Sequence, residues 1–247
     1  RICMLNKIIE ASYPLTFSNK ESAELGDHLK YRDSVVLVGM KRVGISNFLR
    51  FFLNHQNLVA TYIEDGGKHL FIPVDLNDLV EREIFPFWIL TLKRILDAVE
   101  KYPLEGSTKL YIERLFLDSM QSKDVFLTIE NIRKSMVKLV NLGILPTIFF
   151  IRFDRIKDAV TPQFFSNLQG LKDAANHKLA YVFTSFRNLI SLSSEIFSRS
   201  SIAMFAKDMF IKPAGKEDIK IIFNTYKVNY QISLSHGLEK SLFETVD

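Results

Sequence analysis

The sequence predicts an α/β fold in which a parallel sheet is covered by helices on both faces. Three observations carry this. Short runs rich in Val, Ile and Phe recur between polar or turn residues, as strands buried on both faces require. Longer stretches carry apolar residues three and four apart, as helices packed on one side require. The two kinds alternate along the chain, the order that a sheet joined by crossovers needs.

In order, residues 18–31 are expected to be helical. Ser18 and Glu21 have the spacing of a capping box, and Leu25 and Leu29 lie one turn apart. SVVLV (34–38) reads as a buried parallel strand between Asp33 and Gly39, and 46–54 as a buried helix. HLFIPVDL (69–76) reads as a strand whose end is blurred by Pro73. A helix is expected over 84–101, with Trp88, Leu92, Ile95 and Val99 at helical spacing. Another is expected over 124–142, on Val125, Ile129, Ile132, Met136 and Leu139, with Gly143 as its C-cap. TIFFIRF (147–153) reads as a strand, 161–175 as a helix, KLAYVFTS (178–185) as a strand and DMFIK (208–212) as a short strand ending at Pro213. The tail reads as two helices, 215–227 and 235–246. The domain reading is 1–213 for the sheet domain with its N-terminal helical segment, and 214–247 for the beginning of a helical lid.

Composition narrows the class. The 247 residues suffice for one large domain or a domain with a small appendage. With 47% apolar and 24% charged residues, the chain is not a disordered one. Thirty-two basic against 28 acidic residues leave a net charge of +4, which permits a polyanionic partner without demanding one. The 21 Phe point to an aromatic-rich core. A single cysteine, Cys3, excludes a disulfide framework and a cysteine zinc site, and favours a reducing, cytoplasmic setting. The five histidines (His28, His55, His69, His177 and His236) have no ligand spacing and read as structural or surface residues. No apolar run is long enough to cross a bilayer: FPFWILTL (85–92) stops at Lys93 and IFFI (148–151) at Arg152. Burial explains 85–92 better than an oligomer contact. The first residue is not Met and the last segment stops inside a helical pattern, so the chain is expected to be an excerpt of a longer protein.

The junction after the first strand reads Gly39, Met40, Lys41, Arg42, Val43, Gly44, Ile45, Ser46, Asn47. This matches the phosphate loop G-x-x-x-x-G-K-[ST] in both glycines, the spacing, the serine and the strand–loop–helix setting, but Ile45 stands where the lysine belongs. The glycines let backbone N–H groups wrap an anion, the helix start faces it with its positive end, and the Ser46 hydroxyl suits Mg²⁺. Losing a charge-assisted contact of about 1.5–3 kcal/mol should weaken phosphate binding roughly tenfold to a hundredfold. Lys41 and Arg42 are the nearest substitutes. The competing reading is a tight turn that binds nothing.

Asp154 follows the strand at 147–153, where P-loop enzymes place the carboxylate that supports magnesium. The residue after it, usually the glutamate that activates water, is Arg155. General-base help is worth about 10²–10⁴ in rate, so hydrolysis should be very slow or absent unless Asp158 substitutes. The competing reading is an Asp that caps a turn and pairs with Arg152 or Arg155. Thr184, Ser185 and Arg187 end the next strand, where polar groups can face an outer phosphate. Ordinary strand-end polarity is the plainer explanation of Thr184 and Ser185. Arg199 is a weaker candidate for a finger toward a neighbouring subunit.

With these segments in order, the chain resembles the AAA+/STAND class of P-loop ATPases, above all its origin-recognition-like and NACHT-like branches. The resemblance rests on SVVLVGMKRVGISNFL (34–49) as Walker A, TIFFIRFDRI (147–156) as Walker B, YVFTSFR (181–187) as sensor 1, and FIKPAGKEDIKIIF (210–223) as the segment leading into the lid. It covers about residues 18–247. It implies a three-layer P-loop NTPase fold and ATP or ADP with Mg²⁺ as ligand. Gly39 through Asn47 would hold the nucleotide, Ser46 and Asp154 the metal, and Pro213 would mark the hinge. It further implies a regulatory switch, capable of self-association, whose DNA or protein partner is met through modules outside this chain. Ile45 and Arg155 depart from the pattern and predict a degenerate ATPase with weak or absent hydrolysis. The alternatives are a scaffold with a vestigial loop and, with less support, an ATPase whose lysine has moved to Lys41 or comes from a partner subunit.

Overall fold

The computed structural model describes residues 8–39, 44–192 and 205–232. A short 3-10 turn, Ile9–Ser12, leads into helix α1 (Asn19–Lys30). The sheet domain follows as β1 (Val35–Val38), α2 (Ile45–Asn54), β2 (Lys68–Asp75), α3 (Ile84–Lys101), α4 (Gly106–Ser122), α5 (Val125–Asn141), β3 (Ile144–Ile151), α6 (Pro162–Ala174), β4 (Ala180–Ser185), the one-turn α7 (Leu189–Leu192) and β5 (Lys207–Phe210). Helix α8 (Lys216–Asn229) comes last. The expected helix at 235–246 lies outside the described residues.

The five strands are parallel, in the order β2-β3-β4-β1-β5. Alternate residues feed opposite faces. Val36, Ile148, Phe150, Tyr181 and Phe183 join the core under α3, α5 and α6, while Val35, Leu37, Phe149 and Val182 join the core under α1 and α2. Burial on both sides is why these strands read as continuous apolar runs rather than as alternation. The aromatic-rich core expected from the 21 Phe is present: Phe87, Trp88, Phe150, Phe153, Phe164 and Phe183 are all fully buried or nearly so. No residue of 85–92 is exposed.

Four details correct the sequence reading. Ser18 makes no capping bond to its own helix. It adopts a left-handed backbone (φ 43°, ψ 43°), and its N–H donates to Asp218 Oδ1 at 3.0 Å. Helix α4 was not expected; two of its four buried positions are Thr108 and Ser119, so its apolar periodicity is diluted. Polar contacts hold it instead, with Asn131 Nδ2 donating to Leu115 O at 3.0 Å and Ser119 Oγ at 2.9 Å. β3 begins at Ile144 and stops at Ile151, because Arg152 turns left-handed (φ 61°) and opens a 3-10 turn, Phe153–Ala159. Pro146 is tolerated there because the β4 ladder begins only at Thr147. β5 ends at Phe210, although Ile211 N–H still donates to Val38 O.

Pro73 lies on β2, an edge strand of the sheet, where a missing backbone donor is tolerated. At the opposite ends of the strands, the half-buried Arg32 donates to the carbonyls of Leu29, Pro146 and Lys178. Burial pulls its pKa down to about 10, partly offset by Asp65.

Helix α1 crosses the turn at Val59–Ile63 so closely that a Cβ on Gly26 would lie 2.2 Å from Tyr62 O. Gly26→Ala is therefore expected to destabilise by about 1–3 kcal/mol, despite alanine's better helix propensity. A lower urea midpoint at unchanged slope checks this; an unchanged midpoint would contradict the close packing.

Candidate functional site

A parallel sheet buried on both faces presents free polar groups only beyond its strand ends. Three such ends meet on one edge. Val38 of β1 is in register with Ser185 of β4, and Gly39 N–H donates to Ser185 O at 3.1 Å. The loop that leaves β1 therefore starts beside the end of β4. Arg152, just past β3, donates its backbone N–H to Thr184 Oγ1 at 2.8 Å. Thus β1, β4 and β3 are tied side by side where they end, and the candidates Gly39, Gly44, Asp154, Thr184 and Ser185 share this edge. Met40, Lys41, Arg42 and Val43 lie outside the described residues, as does Arg199.

Gly44 caps α2 with φ +94°, a conformation that glycine alone adopts without strain. Among the described residues, nothing lies within 4 Å of where a Cβ on Gly44 would stand. The first turn of α2 has no acidic residue and no side-chain cap, which leaves its N–H groups available to an anion. Ser46 is exposed at this start. Ile45 is half-buried and packs against the core beneath α1 and α2, so its side chain has a structural use in place of the lysine's. Asn47 Oδ1 accepts from Arg50 Nη2 at 2.9 Å, and Arg50 Nε donates to the buried Glu10 at 2.8 Å.

Asp154 sits in the 3-10 turn after β3, half-buried, and its Oδ1 is buried with no hydrogen-bond partner. The expected pairing with Arg152 does not occur: Arg152 pairs with Asp75 at the end of β2. Arg155 does not take its place, since its Nε is buried and also unpartnered. Asp158, the alternative carboxylate, is exposed on the same turn. Thr184 and Ser185 are buried and Arg187 is exposed. Ser185 Oγ accepts from Arg187 N–H at 3.4 Å, and Thr184 has spent an acceptor on Arg152 but keeps its hydroxyl proton to donate.

Among the described residues, the groups chemically suited to a metal-bound polyphosphate are the buried Asp154 Oδ1, which has no hydrogen-bond partner, the Ser46 hydroxyl and the backbone N–H groups at the start of α2. No cluster of His, Cys, Asp or Glu that could hold a metal by itself occurs among the described residues. Sequence reading missed Asp75, Glu10 and Arg50, which position the neighbouring backbone. Asp75 alone left a signal, as the polar end of an apolar strand.

No family model matches the sequence, and no curated protein does. Solved structures match its shape. The Aeropyrum pernix ORC2 protein in its ADP form has a TM-score of 0.61 at 9% identity, covering 90% of this chain and 56% of that one. ORC2 in its ADPNP–ADP complexes has a TM-score of 0.59 at 10% identity, covering 90% and 55%. The Aeropyrum pernix ORC1 protein in complex with DNA has a TM-score of 0.55 at 14% identity, covering 88% and 51%. The chain has an origin-recognition-like AAA+ P-loop fold, and it spans just over half the length of these structures. Among the described residues no helix is long and apolar enough to cross a membrane.

Thr184→Val keeps the shape but removes the acceptor for the Arg152 N–H. It should cost about 1–3 kcal/mol in chemical unfolding, whereas Thr184→Ser should stay close to the parent. Equal stability of the Val variant would show that Thr184 does not hold the strand ends together.

Proposed function

We propose that this chain is an ATP- or ADP-binding regulatory switch domain that hydrolyses nucleotide weakly or not at all. The observation that supports it best is the buried Asp154 Oδ1, without a hydrogen-bond partner, together with the left-handed Gly44 that caps the start of α2. The backbone N–H groups at the start of α2 bind phosphate, with the Ser46 hydroxyl and Asp154 available to hold Mg²⁺. Bound magnesium would supply the positive charge that Ile45 does not. Thr184 has a hydroxyl proton to offer, and Arg187 a charge.

Hydrolysis needs a group that takes a proton from water. Arg155 cannot do so, and no other carboxylate follows Asp154 until the exposed Asp158. Occupancy would then act as a signal. The N-terminal segment is held to α2 by Glu10–Arg50 and to α8 by Ser18–Asp218, so α2 and α8 are linked through it. A ligand that touches the loop and favours one placement of α8 shifts the population toward it. Residues 214–247 are read as the start of the lid, with Pro213 at the hinge.

A larger DNA-associated or signalling protein is the proposed context, with self-association and a DNA or protein partner contributed by regions beyond this chain. The solved ORC1 protein in complex with DNA supports the DNA partner, and the ADP and ADPNP forms of ORC2 support the nucleotide. A reducing, cytoplasmic setting is part of the same proposal. The second reading, a scaffold with a vestigial loop, is favoured by the packing of Ile45 into the core.

Titration with a fluorescent ATP analogue separates the two. Saturable binding that Gly44→Val abolishes supports the switch, and no binding at millimolar nucleotide supports the scaffold. Ile45→Lys restores the missing cation and should tighten ATP binding roughly tenfold to a hundredfold, less any loss from the Ile45 packing. Unchanged affinity would mean that phosphate does not sit at the start of α2.

A further inference from the structure

Helix α4 carries apolar residues on two opposite sides. Its inner side, Thr108, Ile112, Leu115 and Ser119, is buried where the helix packs on α3 and α5. At about 100° per residue, the side opposite these four falls between Leu110 and Leu117, which are seven residues apart and so stand in line along the axis. They are 62% and 50% exposed. Met120 on one flank is exposed as well, and so is Phe126 just past the end of the helix. Single exposed apolar residues are ordinary on a surface, but two leucines at heptad spacing make a seam for another helix. On the other flank Arg114 and Asp118 lie one turn apart. Both are exposed, and neither forms an ion pair among the described residues.

We propose that the outer face of α4 is a dimerisation surface, on which a second copy of this chain lays its own α4 antiparallel about a two-fold axis. Charge order selects this occupant and its register. In an antiparallel two-fold pair, each flank of one helix faces the same flank of the other. With the axis level with Phe116, Arg114 stands level with the partner's Asp118, and Asp118 with the partner's Arg114, because the two residues are equidistant from the axis. Leu117 packs on the partner's Leu117 beside the axis, and Leu110 reaches the end of the partner's α4. The two Glu113 carboxylates, on the Met120 flank, are then six residues of rise apart, about 9 Å. The register that sets Leu110 squarely on the partner's Leu117 instead brings the two Glu113 together and the two Arg114 together, which like-charge repulsion disfavours. One helix face is a small contact, so the dimer is weak and forms with rising concentration. It needs no nucleotide and does not depend on the nucleotide-binding reading.

Sedimentation equilibrium of the chain from micromolar to millimolar concentration, at low salt and without nucleotide, tests this with Leu117→Glu, Arg114→Asp and Asp118→Arg. The unsubstituted chain should pass from monomer to dimer. Leu117→Glu removes both leucines at the axis and sets two carboxylates there, and should weaken the dimer roughly a hundredfold. Each charge reversal puts like charges at both contacts and should weaken it roughly tenfold. An equimolar mixture of the two reversed chains restores opposite charges at both contacts and should dimerise about as well as the parent. All three positions are exposed, and melting curves report that each variant folds. An unsubstituted chain that stays monomeric throughout overturns the proposal. A dimer that Leu117→Glu or the reversals leave unchanged also overturns it, by placing the contact elsewhere, and so does a mixture that associates no better than its components.

Discussion

Burial of the sheet on both faces constrains everything else in this molecule. Alternate residues of every inner strand enter opposite cores, so the strand interiors are almost wholly apolar. Ligand chemistry is left to the strand ends. There the chain holds β1, β4 and β3 together with backbone-centred contacts, Gly39 to Ser185 and Arg152 to Thr184. These bonds fix where Gly39, Arg152 and the β4 end stand relative to one another. A left-handed Arg152 redirects the chain after β3, so that Asp154 falls in a tight turn instead of a strand.

The segment before α1 ties the site to the last helix. Asn47 accepts from Arg50, Arg50 pairs with buried Glu10, and six residues after Ser12 the Ser18 backbone bonds to Asp218 of α8. Tyr13 and Phe17, both buried between these contacts, pack on Phe51 of α2. Burial and the nearby Glu10 hold the Tyr13 hydroxyl in its protonated form. Apolar packing and two polar clasps thus join the start of α2 to α8 through one short segment. Under the proposed function, this is the route by which nucleotide occupancy would reach α8.

The sheet was legible in the sequence because parallel strands buried on both faces leave unmistakable apolar runs. SVVLV, TIFFI and AYVFTS all form strands, and Pro73 marked an edge strand through its missing donor. What hid was whatever depends on distant partners. Ser18 and Glu21 have capping-box spacing, yet Asp218, two hundred residues away, offers a better acceptor and pulls Ser18 left-handed. Helix α4 hides because it buries Thr108 and Ser119 beside only two aliphatic residues. For the site, the positions of Gly39, Gly44, Asp154 and Thr184 were legible from order and spacing. Their partners were not: nothing local says that Arg152 belongs to Asp75, leaving Asp154 and Arg155 unpaired.

The proposed function turns on whether Asp154 supports a nucleotide-borne cation. The most direct measurement is a four-cornered binding cycle: ATP affinity in Mg²⁺ and in EDTA, for the unsubstituted chain and for Asp154→Ala. The account predicts that magnesium tightens ATP binding to the unsubstituted chain and that Asp154→Ala removes most of this gain. An equal magnesium dependence in both proteins would contradict it.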